Sequence, residues 1–355
     1  MSNITAMVEP SVIKIFILTT LSFLLAISWT PLLTNFLSRF RMGKQIRDEA
    51  SAPIFSRLHQ KKSGTPTMGG LLIWVTALAL AMLFSGINNL FPESSLGKLD
   101  FLTREQTRLP LGVLVASAIV GFIDDYFNIR KIGPKGGGLM MRYRLAIYAI
   151  IAIVAAWWFY FKLEWSQIHI PFMGDIEIGW WYIPIFIFII VATSFSVNEA
   201  DGLDGLAGGT LLASFAAFGG IAFAQQKYEL AAFCGVISGA LLAFLWFNIY
   251  PAKFFMGDTG AMSLGTTLGV VAMLTNSVLL LPIIGLPFVL ESGSVIIQTI
   301  SKKFFKKKVF LSTPVHHHYE ALGWHESSIT MRMWVIAIVS AVVGLIIALV
   351  DKGLK

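Results

Sequence analysis

Apolar runs of about 17 residues or more recur from one end of this chain to the other, each long enough to cross a bilayer as a helix. Hydrocarbon offers no partners to backbone N–H and C=O groups, so a spanning segment must be a helix or part of a closed barrel. The runs are continuous rather than alternating, which selects helices. Charged residues make up 13% of the 355 residues, where a globular protein carries about a quarter. The expected fold class is therefore an all-α polytopic membrane protein, with residues 1–355 forming a single integral membrane domain.

Spans are expected at 12–38, 69–86, 110–127, 143–161, 181–197, 206–224, 229–248, 259–275, 278–300 and 330–350, about ten transmembrane helices. The eighth and ninth are nearly fused, parted only by Thr275, Asn276 and Ser277. Most of the 27 lysines and arginines fall in the loops after odd-numbered spans: Arg39 to Lys62, Arg130 to Arg144, Lys253, and Lys302 to Arg332. Basic residues favour the cytoplasmic side, so both termini are expected on the outer, periplasmic side. The net charge of +7 thus reports topology, and could also hold anionic head groups or phosphates. It alternates with the spans instead of forming one patch, which argues against nucleic-acid binding. The first apolar run has no small-residue cleavage site after a short core and reads as a retained span. The lone Cys234 excludes an internal disulfide and lies in an apolar run. Ile168 to Ile178 alternates around Met173-Gly174-Asp175, the pattern of a short outer β-hairpin.

The unusual residues gather on the expected cytoplasmic face. Lys62 to Gly70 (K-S-G-T-P-T-M-G-G) opens span two, and Gly121 to Tyr126 (G-F-I-D-D-Y) closes span three. Asn198 to Gly209 (N-E-A-D-G-L-D-G-L-A-G-G) joins spans five and six. Asn248 to Gly260 (N-I-Y-P-A-K-F-F-M-G-D-T-G) joins seven and eight, and Pro314 to Glu320 (P-V-H-H-H-Y-E) precedes the last. Carboxylates at a bilayer boundary are costly unless they meet water, cations or partners. Asp124, Asp125, Asp201, Asp204 and Asp258 on one face therefore suggest a divalent-cation site, and magnesium takes one or two carboxylates plus substrate phosphates.

Each cluster also has a plainer reading. Asp124 and Asp125 could be a solvated helix end, although acids there oppose the helix dipole. Asn198, Asp201 and Asp204 could share a helical face, or Gly202 and Gly205 could make a tight turn whose backbone N–H groups meet an anion. Asp258, after Gly257, suits the N-cap of span eight. His316, His317 and His318 fit a metal site, a phosphate patch or a solvated loop. Glu291, buried in span nine with Gln298 two turns on, needs a partner. Phe255 could pack against a helix or offer a stacking face.

Taken in order, G-T-P-T-M-G-G, F-I-D-D-Y, N-x-x-D-G-L-D-G-L-A, N-x-Y-P-A-x-x-F-M-G-D-T-G and P-V-H-H-H-Y-E resemble the phospho-N-acetylmuramoyl-pentapeptide transferase family, within the polyprenyl-phosphate N-acetylhexosamine-1-phosphate transferase superfamily, over roughly Arg41 to Val350. The resemblance implies transfer of phospho-N-acetylmuramoyl-pentapeptide from a uridine diphosphate carrier to undecaprenyl phosphate, giving lipid I and uridine monophosphate. It implies Mg2+ as cofactor, ten transmembrane helices, a bacterial inner-membrane location and a homodimer. By motif match Asp258 would ligate magnesium, Asp124 would take a proton from the lipid phosphate, and Asp125 would support both. A family alternative makes Asp258 a nucleophile. Lys62, Asn198, Asp201, Gly202, Asp204, Asn248, Phe255, Gln298, His316, His317 and His318 match substrate-binding positions, with Phe255 stacking on uracil. The chain departs from the family at Glu199-Ala200, where Leu-Thr is expected, and at Ser292-Gly293, where Thr-Leu is expected. Its loop from Ile132 to Gly138 is also rearranged.

Two competing readings remain. A transferase of N-acetylhexosamine-1-phosphate onto polyprenyl phosphate shares the aspartate clusters, but H-H-H-Y-E resembles the substrate-selecting segment of the muramoyl-peptide branch. A transporter would carry its acids mid-span on broken helices, whereas most here sit at span ends.

Overall fold

A computed structural model describes residues 2–40, 42–43, 62, 64–104, 106–133 and 137–353. Much of the basic first loop (Arg41, Lys44, Arg47, Arg57 and Lys61) and the Pro134-Lys135-Gly136 turn lie outside the described residues. The long helices are α1 (Ser2–Arg39), α2 (Leu71–Leu90), α3 (Arg108–Ile129), α4 (Met141–Trp157), α5 (Tyr182–Ala200), α6 (Leu206–Ala224), α7 (Tyr228–Asn248) and α8 (Asp258–Leu274). The broken pair α9 (Leu281–Ile284) and α10 (Leu286–Ile300) follows, then the short α11 (Val315–Ala321) and the closing α12 (Glu326–Gly353). Among the described residues, eight helices are long and apolar enough to cross a membrane, nine if the bent pair is one span.

Helix α8 is the axis of the bundle. Every residue from Thr259 to Leu274 is buried, and its 17 residues rise only ~25 Å. The Ser263, Thr266 and Thr267 hydroxyls bond back into their own helix, as Thr267 Oγ1 does to the Ser263 carbonyl at 2.6 Å, and the Thr259 hydroxyl donates to the Ala118 carbonyl of α3 at 2.9 Å, so a polar stripe lies satisfied in the core. Small residues let neighbours approach. A Cβ on Gly121 of α3 would lie 2.3 Å from the Asp258 carbonyl oxygen, so only glycine allows α3 to cross α8 at the residue that carries the site. Ser117 and Thr266 hydroxyls then meet at 2.8 Å further along the same contact.

The expected ninth span is not one straight helix. It breaks at Gly285, and the two arms differ by 84°. Pro282 and Pro287 each stand in the first turn of their arm, where a missing N–H is tolerated but continuation from the preceding turn is not. The bend swings Glu291 and Gln298 toward the loop before α12.

The expected hairpin is present. Strands β1 (Gln167–Ile170) and β2 (Gly174–Glu177) pair antiparallel, with Ile168 opposite Ile176. His169 pins the hairpin to the end of α12 through Asp351, Nε2 to Oδ2 at 2.7 Å. All five polar clusters lie at the opposite end of the bundle, where α3, α5 and α7 finish and α4, α6 and α8 begin.

Candidate active site

Asp124 stands near the end of α3, Arg144 in the first turn of α4, Asn198 near the end of α5 and Asp258 at the start of α8. Four helices thus bring these side chains to one point. The Arg144 guanidinium bridges two carboxylates, Nε to Asp124 Oδ2 at 2.7 Å and Nη2 to Asp258 Oδ2 at 2.9 Å. Asn198 Nδ2 donates to Asp258 Oδ1 at 2.6 Å, and the Leu139 N–H donates to Asp124 Oδ1 at 2.6 Å. Asp124 is fully buried, and Asp258 keeps 12% of its side chain open, so the second carboxylate is the accessible one.

Asp125 faces α8 instead. It accepts the backbone N–H of Asp258 at 3.1 Å and of Thr259 at 3.0 Å. Asp258 does not cap its own helix, as its position after Gly257 suggested. It is the first helical residue, Gly257 is the N-cap, and the capping carboxylate comes from α3. Gly257 has φ +74° and lies so close to Asp125 that a Cβ would sit 2.5 Å from Oδ2. Its N–H donates to Asp201 Oδ2 at 3.1 Å, tying the 201–205 turn to the same loop.

Helix α5 ends at Ala200, so Asn198, Asp201 and Asp204 do not share a helical face; residues 201–205 are the alternative tight turn. Two of its N–H groups are taken by side chains from other helices: Glu326 accepts from Asp204 at 2.6 Å and Asn248 accepts from Gly205 at 2.9 Å. Lys62 pairs with Asp204 Oδ1 at 2.7 Å and with Glu326, its ammonium 5.7 Å from the Phe255 ring centroid. Phe254, fully buried against Phe244 and Phe247, supplies the packing in this loop. Phe255 remains half-buried with a ring beside the site.

Helix α11 carries the histidines. His316 Nδ1 lies 2.8 Å from Glu291 Oε2, and His317 Nδ1 lies 2.6 Å from Glu320 Oε2. Gly202 faces His316 so closely that a Cβ would meet Nε2 at 2.1 Å. His318 turns away: its Nδ1 accepts the Leu311 N–H at 3.2 Å. The Gln298 amide organises the loop after α10, accepting from Val309 at 2.9 Å and donating to the Phe310 carbonyl at 2.8 Å. The site therefore gathers Asp124, Asn198 and Asp258 around the Arg144 cation, while Asp125 and Asp201 hold the backbone of the Gly257–Thr259 segment beside it. Lys62, Asp204, Asn248 and Phe255 form its neighbour, His316 with Gly202 a third corner, and Gln298 on α10 and His318 on α11 hold the loop between those two helices.

Two residues escaped the sequence reading. Arg144 counts among the loop cations in the sequence, and Glu326, four positions before the expected 330–350 span, is not singled out there. Arg144 had a signal: basic residues in the first turn of a helix oppose its dipole and need a carboxylate partner.

Among the described residues no three His, Cys, Asp or Glu side chains converge to hold a metal by themselves. A cation is nonetheless held, since Arg144 sits between Asp124 and Asp258 with Asn198 beside it. Two carboxylates and an amide oxygen are hard donors, the chemistry that magnesium takes, so these residues would be the ones to hold such an ion.

The glycosyl transferase family 4 model matches residues 108–276, and the phospho-N-acetylmuramoyl-pentapeptide-transferase signature 1 matches 62–73. The chain is 38% identical over 363 residues to a phospho-N-acetylmuramoyl-pentapeptide-transferase of Chloroflexus aggregans (strain MD-66 / DSM 9485), covering 99% of this chain and 94% of that relative. It is 40% identical over 332 residues to the protein of that name from Geobacillus sp. (strain WCH70), covering 92% and 95%. To the Bacillus anthracis (strain A0248) protein it is 39% identical over 330 residues, covering 92% and 95%.

Proposed function

The chain belongs to the phospho-N-acetylmuramoyl-pentapeptide transferase family, and from that premise we propose that it moves phospho-N-acetylmuramoyl-pentapeptide from its uridine diphosphate carrier to undecaprenyl phosphate, giving lipid I and uridine monophosphate. One observation carries the reading: Asp124 and Asp258, 134 positions apart on two helices, share a single buried-edge cation at one end of an apolar bundle. That placement suits a reaction between a soluble diphosphate and a phosphate on a lipid.

In the transfer, a phosphate oxygen of the lipid bonds to the phosphorus that bears the sugar, and the bond from that phosphorus to the uridine monophosphate oxygen breaks. Charge collects on phosphoryl oxygens, so catalysis is positioning and electrostatic neutralisation. Asp124 takes the proton of the lipid phosphate. Asp258 would hold magnesium, and the ion would supply charge neutralisation to the diphosphate. Arg144 keeps the two carboxylates together and donates to the phosphates when they arrive. Asp125 fixes the start of α8, and Asn198 orients Asp258. Phe255 presents its face to the uracil, with Lys62 and the Asp201–Asp204 turn alongside.

The reading places ten spans in a bacterial inner membrane, counting buried α8 and the bent α9–α10 pair, with this site on the cytoplasmic side. The test is lipid I formation by the purified chain from the uridine nucleotide and undecaprenyl phosphate with magnesium. Product is expected, and Asp258→Ala and Asp124→Asn are each expected to abolish it. No product from the unaltered chain beside a working control would refute the reading.

A further inference from the structure

Glu291 and His316 form a pair that nothing above uses fully. Both side chains are 0% exposed. Glu291 comes from α10, beyond the 84° bend, and His316 from α11, so the pair joins two elements. Glu291 Oε2 takes two donors from one residue, His316 Nδ1 at 2.8 Å and the His316 backbone N–H at 3.3 Å. Ring and backbone are therefore locked together. The Nδ1–H is committed to the carboxylate, which leaves Nε2 as the free end of the ring.

That free end is aimed at the site. His316 Nε2 is buried and has no hydrogen-bond partner among the described residues, and the backbone it faces is Gly202, in the turn that also holds Asp201. A buried ring nitrogen with no partner is rare in a folded chain, and at a functional site it marks a place that a ligand completes. Glycine at 202 lets the turn lie directly against the ring, since a Cβ there would meet Nε2 at 2.1 Å.

We propose that Glu291 is a positioning residue for the transfer: it holds His316 as an imidazolium whose Nε2–H points at the Asp201–Gly202 turn and donates to an anionic oxygen of the bound diphosphate substrate. The inference rests on the transferase reading. Charge around the ring agrees with it. Burial pulls the His316 pKa down, but the Glu291 charge and hydrogen bond, with Glu320 on the same helix and Glu199 on α5, together leave it raised. His317, edge-on to His316 with ring centroids 4.1 Å apart, is engaged with Glu320. Glu199 is one of the positions where this chain departs from its family, so part of the negative surround is its own.

The sign follows. A raised histidine pKa keeps the imidazolium present below its titration and loses it as pH rises through that point. Glu291→Gln keeps size and one acceptor but removes the charge, so the imidazolium is lost at lower pH. The experiment measures kcat and KM for lipid I formation across about pH 6 to 9, in the unaltered chain, Glu291→Gln and Glu291→Asp. Glu291→Gln should lower kcat ~10- to 100-fold at the alkaline end and move the alkaline limb down by about one pH unit, with KM for the uridine nucleotide changed less than about threefold. Glu291→Asp, which keeps the charge, should keep the limb. NMR titration of ring-labelled histidine, assigned with His316→Gln, reads the same pair without turnover, and the His316 midpoint should fall in Glu291→Gln. An unmoved midpoint, or a kcat loss equal at all pH values, would overturn the proposal. Absence of lipid I with the unaltered chain would instead strike the transferase reading, and the NMR midpoint would still decide on Glu291.

Discussion

Asp125→Asn tests whether catalysis depends on how α8 begins. The native carboxylate accepts the N–H groups of Asp258 and Thr259 through different oxygens, at 3.1 and 3.0 Å, and is buried. Asparagine fits the same space but has one acceptor oxygen. Its NH2 must face one of the two N–H groups, so one charge-assisted bond is lost and one buried donor is stranded. A hydrogen bond to a charged group contributes ~1.5–3 kcal/mol, and a stranded buried donor costs ~1–3 kcal/mol. Relief of the nearby Asp258 charge offsets part of this, which leaves a destabilisation of about 2–4 kcal/mol. Asp258 is the first residue of that helix, so any retreat of the backbone moves the carboxylate, and a misplacement of ~1 Å costs ~100-fold in rate. Steady-state kinetics should show kcat down ~100-fold with KM for the uridine nucleotide nearly unchanged, and thermal unfolding should show a lower midpoint. Asp125→Ala, which strands both donors, should be worse on both measures. Asp125→Asn with kcat within about threefold of the unaltered chain would refute the claim that this cap places Asp258.

Arg144→Ala should lower kcat ~100-fold and reduce the magnesium concentration giving half-maximal rate, because the guanidinium competes for Asp124 and Asp258; an unchanged or higher requirement would contradict a shared site. Lys62→Ala leaves Asp204 and Glu326 buried without their cation, and the unfolding midpoint should drop by an amount near the ~3 kcal/mol low end for breaking a buried pair, since Lys62 is 17% open; a midpoint within error would place the pair among weak surface contacts. Gly202→Ala forces the added methyl against the buried His316 ring, and kcat should fall at least ~10-fold with a loss of ~1–3 kcal/mol of stability; full activity and an unchanged unfolding midpoint would mean that the turn yields easily.

Much of the fold was legible because hydrocarbon imposes one rule on every span. Continuous apolar runs had to be helices, and nearly every span edge falls within a few residues of its expected place. The hairpin was legible from the alternation around Gly174. What failed was anything that depended on neighbours. The bend at Gly285 was hidden because both arms are apolar, and Pro282 and Pro287 on either side of it read as ordinary span residues. Hydropathy likewise gave no sign that α8 is the buried axis, since a core helix and a lipid-facing helix of 17 residues have the same composition.

For the site, the residues were legible and their pairings were not. Five acids at span ends announce an electrostatic cost without saying what offsets it. Capping shows why. Gly257-Asp258 satisfies every local rule for a self-capped helix, yet Asp258 is freed for the reaction because Asp125, 133 positions away, does the capping. The same exchange recurs at α6, where Asn248 and Glu326 take the N–H groups of the 201–205 turn that its own aspartates would otherwise satisfy. A helix start that borrows its cap from another helix leaves its own carboxylate unspent and fixes the distance between the two helices at once. In a bundle whose apolar faces slide easily past one another, these borrowed caps set the register of α3 against α8 and of α6 against α7 and α12. They are therefore why Asp124 and Asp258 arrive on the same cation, and why the acids of this family of motifs come in neighbouring pairs and triplets, one member to hold the backbone and another to meet the substrate.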